Sequence, residues 1–102
     1  MTPPTTGRVL ASNALTADLG PERTLPIADL AGLEVGLWEM VPGVAEDTEV
    51  DEVCVMLSGR GTVRFEDGEE IALAPGVAVR LRAGERTVWT VTETLRKVYV
   101  SR

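Results

Sequence analysis

The sequence predicts a single all-β domain. From residue 33 onward, short segments rich in Val, Leu and Thr alternate with Gly, Pro and Asp turn signals, and no segment has a strong helical pattern. The segments recur about every ten residues, a spacing that favours a β-sandwich or barrel over alternating βαβ units. A chain of 102 residues supports one hydrophobic core.

The predicted strands come in order along the second two thirds of the chain. They are residues 33–41, 52–57, 61–65, 70–74, 78–82, 87–91 and 95–100. Turns are predicted between them, at Pro42-Gly43, Ser58-Gly59, Asp67-Gly68, Pro75-Gly76 and Ala83-Gly84.

The first third of the chain has a weaker pattern. Residues 1–8, with Pro3 and Pro4, are predicted to be a flexible arm, and residues 9–102 the folded domain. Residues 9–14 could form an edge strand, and residues 27–30 either a helical turn or another strand. Because an N-terminal strand often completes a neighbour's sheet, we expect a homodimer.

The amino-acid composition limits which binding partners and which cellular location are expected. The net charge of −6 repels phosphate backbones and anionic lipids, so we expect neither a nucleic acid nor a membrane as partner. The single cysteine, Cys54, cannot form an intrachain disulfide, and residues 1–7 have no basic start or apolar stretch typical of a secretory signal. These features predict a cytoplasmic protein.

Histidine is absent from the sequence. Histidine is the commonest ligand of catalytic transition metals and the usual acid or base near neutral pH. We therefore predict no metal site and no cofactor.

Three segments together resemble the cupin superfamily. They are residues 36–43 (GLWEMVPG), residues 51–59 (DEVCVMLSG) and the stretch from Pro75-Gly76 through Ala83-Gly84 to Trp89, closing with LRKVYV at 95–100. Within that superfamily the chain is similar to the small single-domain group related to the cupin domain of ureidoglycine aminohydrolase. The resemblance implies a cupin barrel, which is a jelly roll also called a double-stranded β-helix.

The metal site of this family does not carry over. Its first motif has two histidines just upstream of the position of Glu52, where this chain has residues 46–51 (EDTEVD). Its second motif has a third histidine, at the position of Thr87. Of the four ligands that the resemblance implies, only Glu52 is present.

Glu52 is the candidate catalytic residue. If Glu52 points into the barrel, as the resemblance implies, strand alternation points Cys54 and Met56 inward with it. Burial among apolar walls disfavours the charged form of a carboxylate, and such a group can serve as a general acid or base. The alternative is that Glu52 pairs with an inward-facing arginine or caps a loop at the barrel mouth.

The candidate ligand-binding residues combine polar and aromatic groups. Thr87 and Trp89 share one face of a later strand, and Trp38 and Trp89 could stack on a flat ligand. We expect a mostly apolar pocket for a small organic molecule, lined by Trp38, Cys54, Met56, Thr87 and Trp89. Each of these side chains could instead fill the core.

The acidic run at residues 46–52 allows two interpretations. Asp47, Glu49 and Asp51 alternate and could supply oxygen ligands to a hard cation. The spacing matches no calcium loop, and a solvated, self-repelling loop at the barrel rim is the other interpretation.

Three functions are compatible with these features. The first is a metal-free cupin that binds a small organic molecule and uses Glu52 for a simple isomerase or cyclase step. The second is a metal-dependent enzyme like the ureidoglycine-processing relatives. The third is a non-catalytic dimeric barrel that regulates another protein.

Overall fold

The computed structural model describes residues 8–102, and this part of the chain forms strands and turns only. The strands are β1 (Thr24–Leu30), β2 (Leu33–Met40), β3 (Gly43–Thr48), β4 (Glu52–Phe65), β5 (Glu70–Leu73), β6 (Ala78–Leu81) and β7 (Arg86–Ser101). The predicted all-β class is therefore confirmed. Residues 1–7 of the predicted flexible arm lie outside the described residues. In the part of the chain that the structure describes, no helix is long and apolar enough to cross a membrane.

Two long strands, β4 and β7, organise the molecule. They pair with each other in antiparallel fashion along their whole length, from Glu52 opposite Ser101 to Phe65 opposite Thr87. The first half of β4 also pairs with β6, and the second half of β7 with β2. The second half of β4 pairs with β5, and the first half of β7 with β3. The shared strands thus connect two halves of one sheet, as in a jelly roll.

Irregular pairing separates the two halves. The register of β4 against β7 shifts between Met56 and Ser58, between Ser58 and Arg60, and between Arg60 and Gly61. The predicted turn at Ser58-Gly59 is therefore wrong: the chain continues as one strand through a bulge. Gly59 has a positive φ of 95°. A glycine in this conformation occurs both in turns and in β-bulges, so the sequence alone does not distinguish the two.

The two strands missing from the prediction lie at the sides of the sheet. β1 pairs with β2 across a short turn, which settles residues 27–30 as strand. β3 is exposed along its whole length and is held by backbone pairing with β7, so it lacks the apolar pattern that predicts a strand. Residues 9–14 form no strand, so the homodimer stays a prediction without that edge.

The core lies between the two halves of the sheet. Its buried residues are Cys54, Met56, Val63, Phe65, Leu73, Val79, Leu81, Trp89, Val91, Leu95 and Tyr99. Trp38 and Met40 of β2 pack against this core from one end. At that end Gly36 faces the Tyr99 ring so closely that a Cβ atom there would overlap the ring, which brings the tyrosine against β2.

Candidate functional site

A cavity of about 360 Å³ opens at the end of the barrel where β1, β2, β3, β4 and β7 meet. Its walls combine aromatic side chains with carboxylates from β2, β3, β4 and the connection between β3 and β4. The volume lies in the range of about 300–1,000 Å³ that is typical of small-molecule sites.

A buried ion pair lies in this cavity. Lys97 Nζ donates a hydrogen bond to Glu52 Oε2 at 2.6 Å, and the two side chains are only 6% and 10% exposed. Lys97 lies on the same face of β7 as Leu95 and Tyr99, and all three side chains are buried. Removing either partner would leave the charge of the other buried and uncompensated, which is costly.

Two indole rings flank the ammonium group. Lys97 Nζ lies 4.5 Å from the centre of the Trp38 ring and 4.9 Å from the centre of the Trp89 ring. The rings are tilted by 56°, with 5.6 Å between their centroids. Both contacts are within the range of cation–π attraction, so the two rings attract the ammonium group of Lys97.

Glu49 is a second buried carboxylate at the cavity. Only 7% of this residue is exposed. Its Oε2 atom accepts hydrogen bonds from the Thr87 hydroxyl at 2.6 Å and from the Trp89 indole N–H at 3.0 Å. Both donors are neutral, and within residues 8–102 no lysine or arginine lies within salt-bridge distance of Glu49.

The backbone around Glu49 is fixed by the turn that precedes β7. The Glu49 amide donates to the Glu85 carbonyl at 2.8 Å, and the Gly84 amide donates to the Glu49 carbonyl at 2.9 Å. Asp51 accepts from the Ala83 amide and from Arg80, and these two hydrogen bonds hold the pKa of Asp51 below its usual 3.8. The connection between β3 and β4 is thus held on the barrel rim by specific bonds.

A tyrosine of β7 and a carboxylate of β2 also line the cavity. The Tyr99 hydroxyl donates to Glu34 Oε2 at 2.7 Å. Burial raises the pKa of Tyr99, and the Glu34 carboxylate adds to this rise. The phenol therefore stays protonated and serves as a donor.

Cys54 and Met56 lie in the core, each only 1% exposed, and neither lines the cavity. Burial raises the pKa of the Cys54 thiol to about 11, and the Glu52 charge adds to the effect. The thiolate, which is the nucleophile, is therefore scarce at neutral pH. The placement favours the core-filling interpretation for both side chains.

The donor set does not fit a catalytic metal ion. Within residues 8–102, no three His, Cys, Asp or Glu side chains lie together as metal ligands require. Asp47, Glu49 and Asp51 do not converge either, since Glu49 faces Trp89 and Asp51 bonds Arg80. Beside Glu52, the position of a cation is taken by the Lys97 ammonium.

Three of the six predicted site residues, Trp38, Glu52 and Trp89, line the cavity. Thr87 does not line the cavity, but its hydroxyl donates a hydrogen bond to Glu49, which does. The assigned roles of all six stay predictions.

Sequence reasoning missed Lys97, Glu34 and Tyr99, and it named Glu49 only as a candidate ligand of a hard cation. The sequence does indicate that Lys97 and Tyr99 face inward, because both are an even number of residues from Leu95 on an apolar strand. The burial of Glu49 has no such signal in the sequence, because Glu49 belongs to an acidic run for which a solvated loop and a cation site are both possible interpretations.

A larger cleft of about 730 Å³ lies beside Phe65, Arg64 and the start of β7. Its charged groups are exposed, and its Arg86–Glu66 pair, 3.9 Å apart, is 75% and 70% exposed. Exposed pairs of this kind contribute little binding energy. The smaller cavity, with its buried charges, is therefore the candidate site.

The strand order, the irregular pairing of the two central strands and the cavity at one end define a cupin-type barrel, as the sequence resemblance implies. The chain belongs to the EutQ-like cupin domain family, whose model matches residues 28–99.

Solved structures agree with this membership. A Rhizobium leguminosarum protein of unknown function has 28% identity and a TM-score of 0.69, over 80% of this chain and 83% of that one. A DUF861 family protein from Thermotoga maritima has 30% identity and a TM-score of 0.61, over 65% and 76% of the two chains. The Clostridium difficile EutQ protein has 21% identity and a TM-score of 0.66, over 76% of this chain and 64% of that one, and shows the fold alone. No curated protein matches the chain significantly.

Proposed function

We propose that this protein is a metal-free cupin that binds a small organic molecule in the barrel cavity, with Glu52 and Lys97 as its polar centre. The observation that carries the proposal is the buried Glu52–Lys97 pair between two indole rings. An ammonium ion thereby supplies the positive charge that a metal ion would supply beside a carboxylate. Lys97 belongs to the chain, so the charge is present without a cofactor.

The pair offers a ligand two kinds of hydrogen bond. Lys97 carries three N–H donors, one of which is used by Glu52. The Glu52 carboxylate accepts this bond through Oε2 and lines the cavity. A ligand with a carbonyl oxygen beside an acidic hydrogen would meet a donor and an acceptor side by side.

The same arrangement supports a simple proton transfer. Glu52 would accept a proton from the ligand carbon, while Lys97 would stabilise the negative charge that develops on the neighbouring oxygen. Returning the proton to another ligand atom completes an isomerisation and restores both residues. No oxidant, reductant or metal is required.

Binding is tested by ligand-observed NMR with a library of small organic fragments. Ala45 lines the cavity beside Trp89, so Ala45→Trp should fill the space and abolish the fragment signals. Ala72→Trp, at an exposed position of β5 outside the cavity, is the matched control and should leave them unchanged. Fragments that bind both variants equally, or no fragment binding to the wild type, would contradict a cavity-binding function.

The proton transfer is tested separately, in deuterated water with a bound fragment that carries a carbonyl group. Exchange of its adjacent C–H for deuterium should occur with the wild type and fall at least about a hundredfold in Glu52→Gln, the lower end of typical general-base effects. Exchange that is equal in both proteins would leave the binding function standing and remove Glu52 as the base.

A further inference from the structure

The charges around the cavity are strongly unbalanced. Five carboxylates line it, against the single ammonium of Lys97; they are Glu34, Glu46, Asp47, Glu49 and Glu52. Lys97 compensates Glu52 at 2.6 Å. The remaining carboxylates make the cavity repel anions and attract cations, since clefts lined by one sign of charge concentrate the field.

Glu49 is the member of this set that most needs a partner. It is only 7% exposed, and among residues 8–102 it is bonded by two neutral donors, both on Oε2. Neutral hydrogen bonds orient a carboxylate but do not cancel its charge, and buried charges in folded proteins are normally paired. Its Oε1 atom has no hydrogen-bond partner in the same part of the chain and belongs to a side chain that lines the cavity.

We infer that the ligand is an organic cation, a protonated amine or amidine, whose N–H groups bind Glu49. A bound ammonium group would complete at Glu49 the pairing that Lys97 provides at Glu52. The cavity volume of about 360 Å³ limits the ligand to a small molecule. This inference rests on the proposed function, because it names the ligand class of the same site.

The orientation of Glu49 fits this role. Buried Thr87 and Trp89 hold Oε2, and two hydrogen bonds to the backbone of Gly84 and Glu85 fix the main chain of Glu49. The carboxylate is thereby preorganised, so an incoming cation does not have to order it.

The test uses pairs of probes that differ in charge and little in shape: benzylamine with benzyl alcohol, and cyclohexylamine with cyclohexanol. We expect the wild type to bind each amine about tenfold or more tightly than its alcohol, as charge-assisted hydrogen bonds are stronger than neutral ones. Glu49→Gln, which keeps the side-chain shape, should remove this preference. Glu46→Gln changes the same charge at an exposed position of the cavity rim and should keep most of it.

The outcomes separate the two proposals. Equal binding of amine and alcohol by the wild type would overturn the cation inference and leave the proposed function intact. A preference that falls equally in Glu49→Gln and Glu46→Gln would overturn Glu49 as the anchor. If neither these probes nor the fragment library bind, the proposed function fails, and the inference with it. The wild-type comparison needs no variant, so it decides the ligand class even if Glu49→Gln does not fold.

Discussion

Lys97→Met should destabilise the protein strongly, because it leaves Glu52 buried without its partner. The two side chains are 6% and 10% exposed, so the pair behaves as a buried one, and removing one partner of such a pair costs about 3–5 kcal/mol. Methionine keeps most of the length and apolar volume between the indole rings, so lost packing contributes little. Most of the loss is the stranded carboxylate and the two cation–π contacts.

The double variant isolates the interaction. In Glu52→Gln with Lys97→Met no charge is stranded, so the pair of substitutions should cost at least about 1.5 kcal/mol less than the sum of the single ones. Urea unfolding followed by tryptophan fluorescence measures this, since Trp38 and Trp89 contact the lysine. For a domain of this size, 1 kcal/mol corresponds to a shift of about 4–8 °C in Tm.

The exposed Arg60–Glu93 pair is the matched control. Its atoms are 3.7 Å apart and its side chains 57% and 68% exposed, so the same cycle there should give a coupling of about 0–1 kcal/mol. If the loss of unfolding free energy in the double variant equals the sum of the losses in the two single variants within about 0.5 kcal/mol, the buried interaction is refuted. A folded double variant beside an unfolded Lys97→Met would support it.

Three further results are expected. The Cys54 thiol, with its pKa raised to about 11, should react with iodoacetamide at pH 8 at least about tenfold more slowly than in urea-unfolded protein; equal rates would contradict its burial. The pKa of Asp51 in the folded protein lies below its usual 3.8, so the ionised group stabilises the folded state above pH 3.8, and this stabilisation is lost as the pH falls through the lowered pKa. In thermal melts at acidic pH, Asp51→Asn should therefore make Tm depend less on pH. An unchanged dependence would contradict the lowered pKa. Gly36→Ala should displace the Tyr99 ring and cost about 1–3 kcal/mol in urea unfolding, whereas a loss below about 0.5 kcal/mol would contradict the close approach.

The fold was largely predictable from the sequence because its strands carry apolar residues at alternating positions. The exceptions have physical causes. A bulge at Gly59 carries the same signal as a turn, and β3 is held by its backbone with no buried face. The cavity was predictable only in part. Trp38, Glu52 and Trp89 could be placed by motif and alternation, whereas the burial of Glu49 depends on contacts with Thr87 and Trp89, about forty residues away in sequence.

The most direct test of the metal-free account is thermal unfolding of protein without a histidine tag, in the presence and absence of manganese, zinc, nickel or iron(II). A metal bound only by the folded state, at a hundred times its Kd, would stabilise the protein by about 2.7 kcal/mol and raise Tm by roughly 10–20 °C. We predict no rise with any of the four metals, for the wild type or for Glu52→Gln. A rise in the wild type that Glu52→Gln abolishes would contradict the account and give Glu52 a metal ion in place of Lys97.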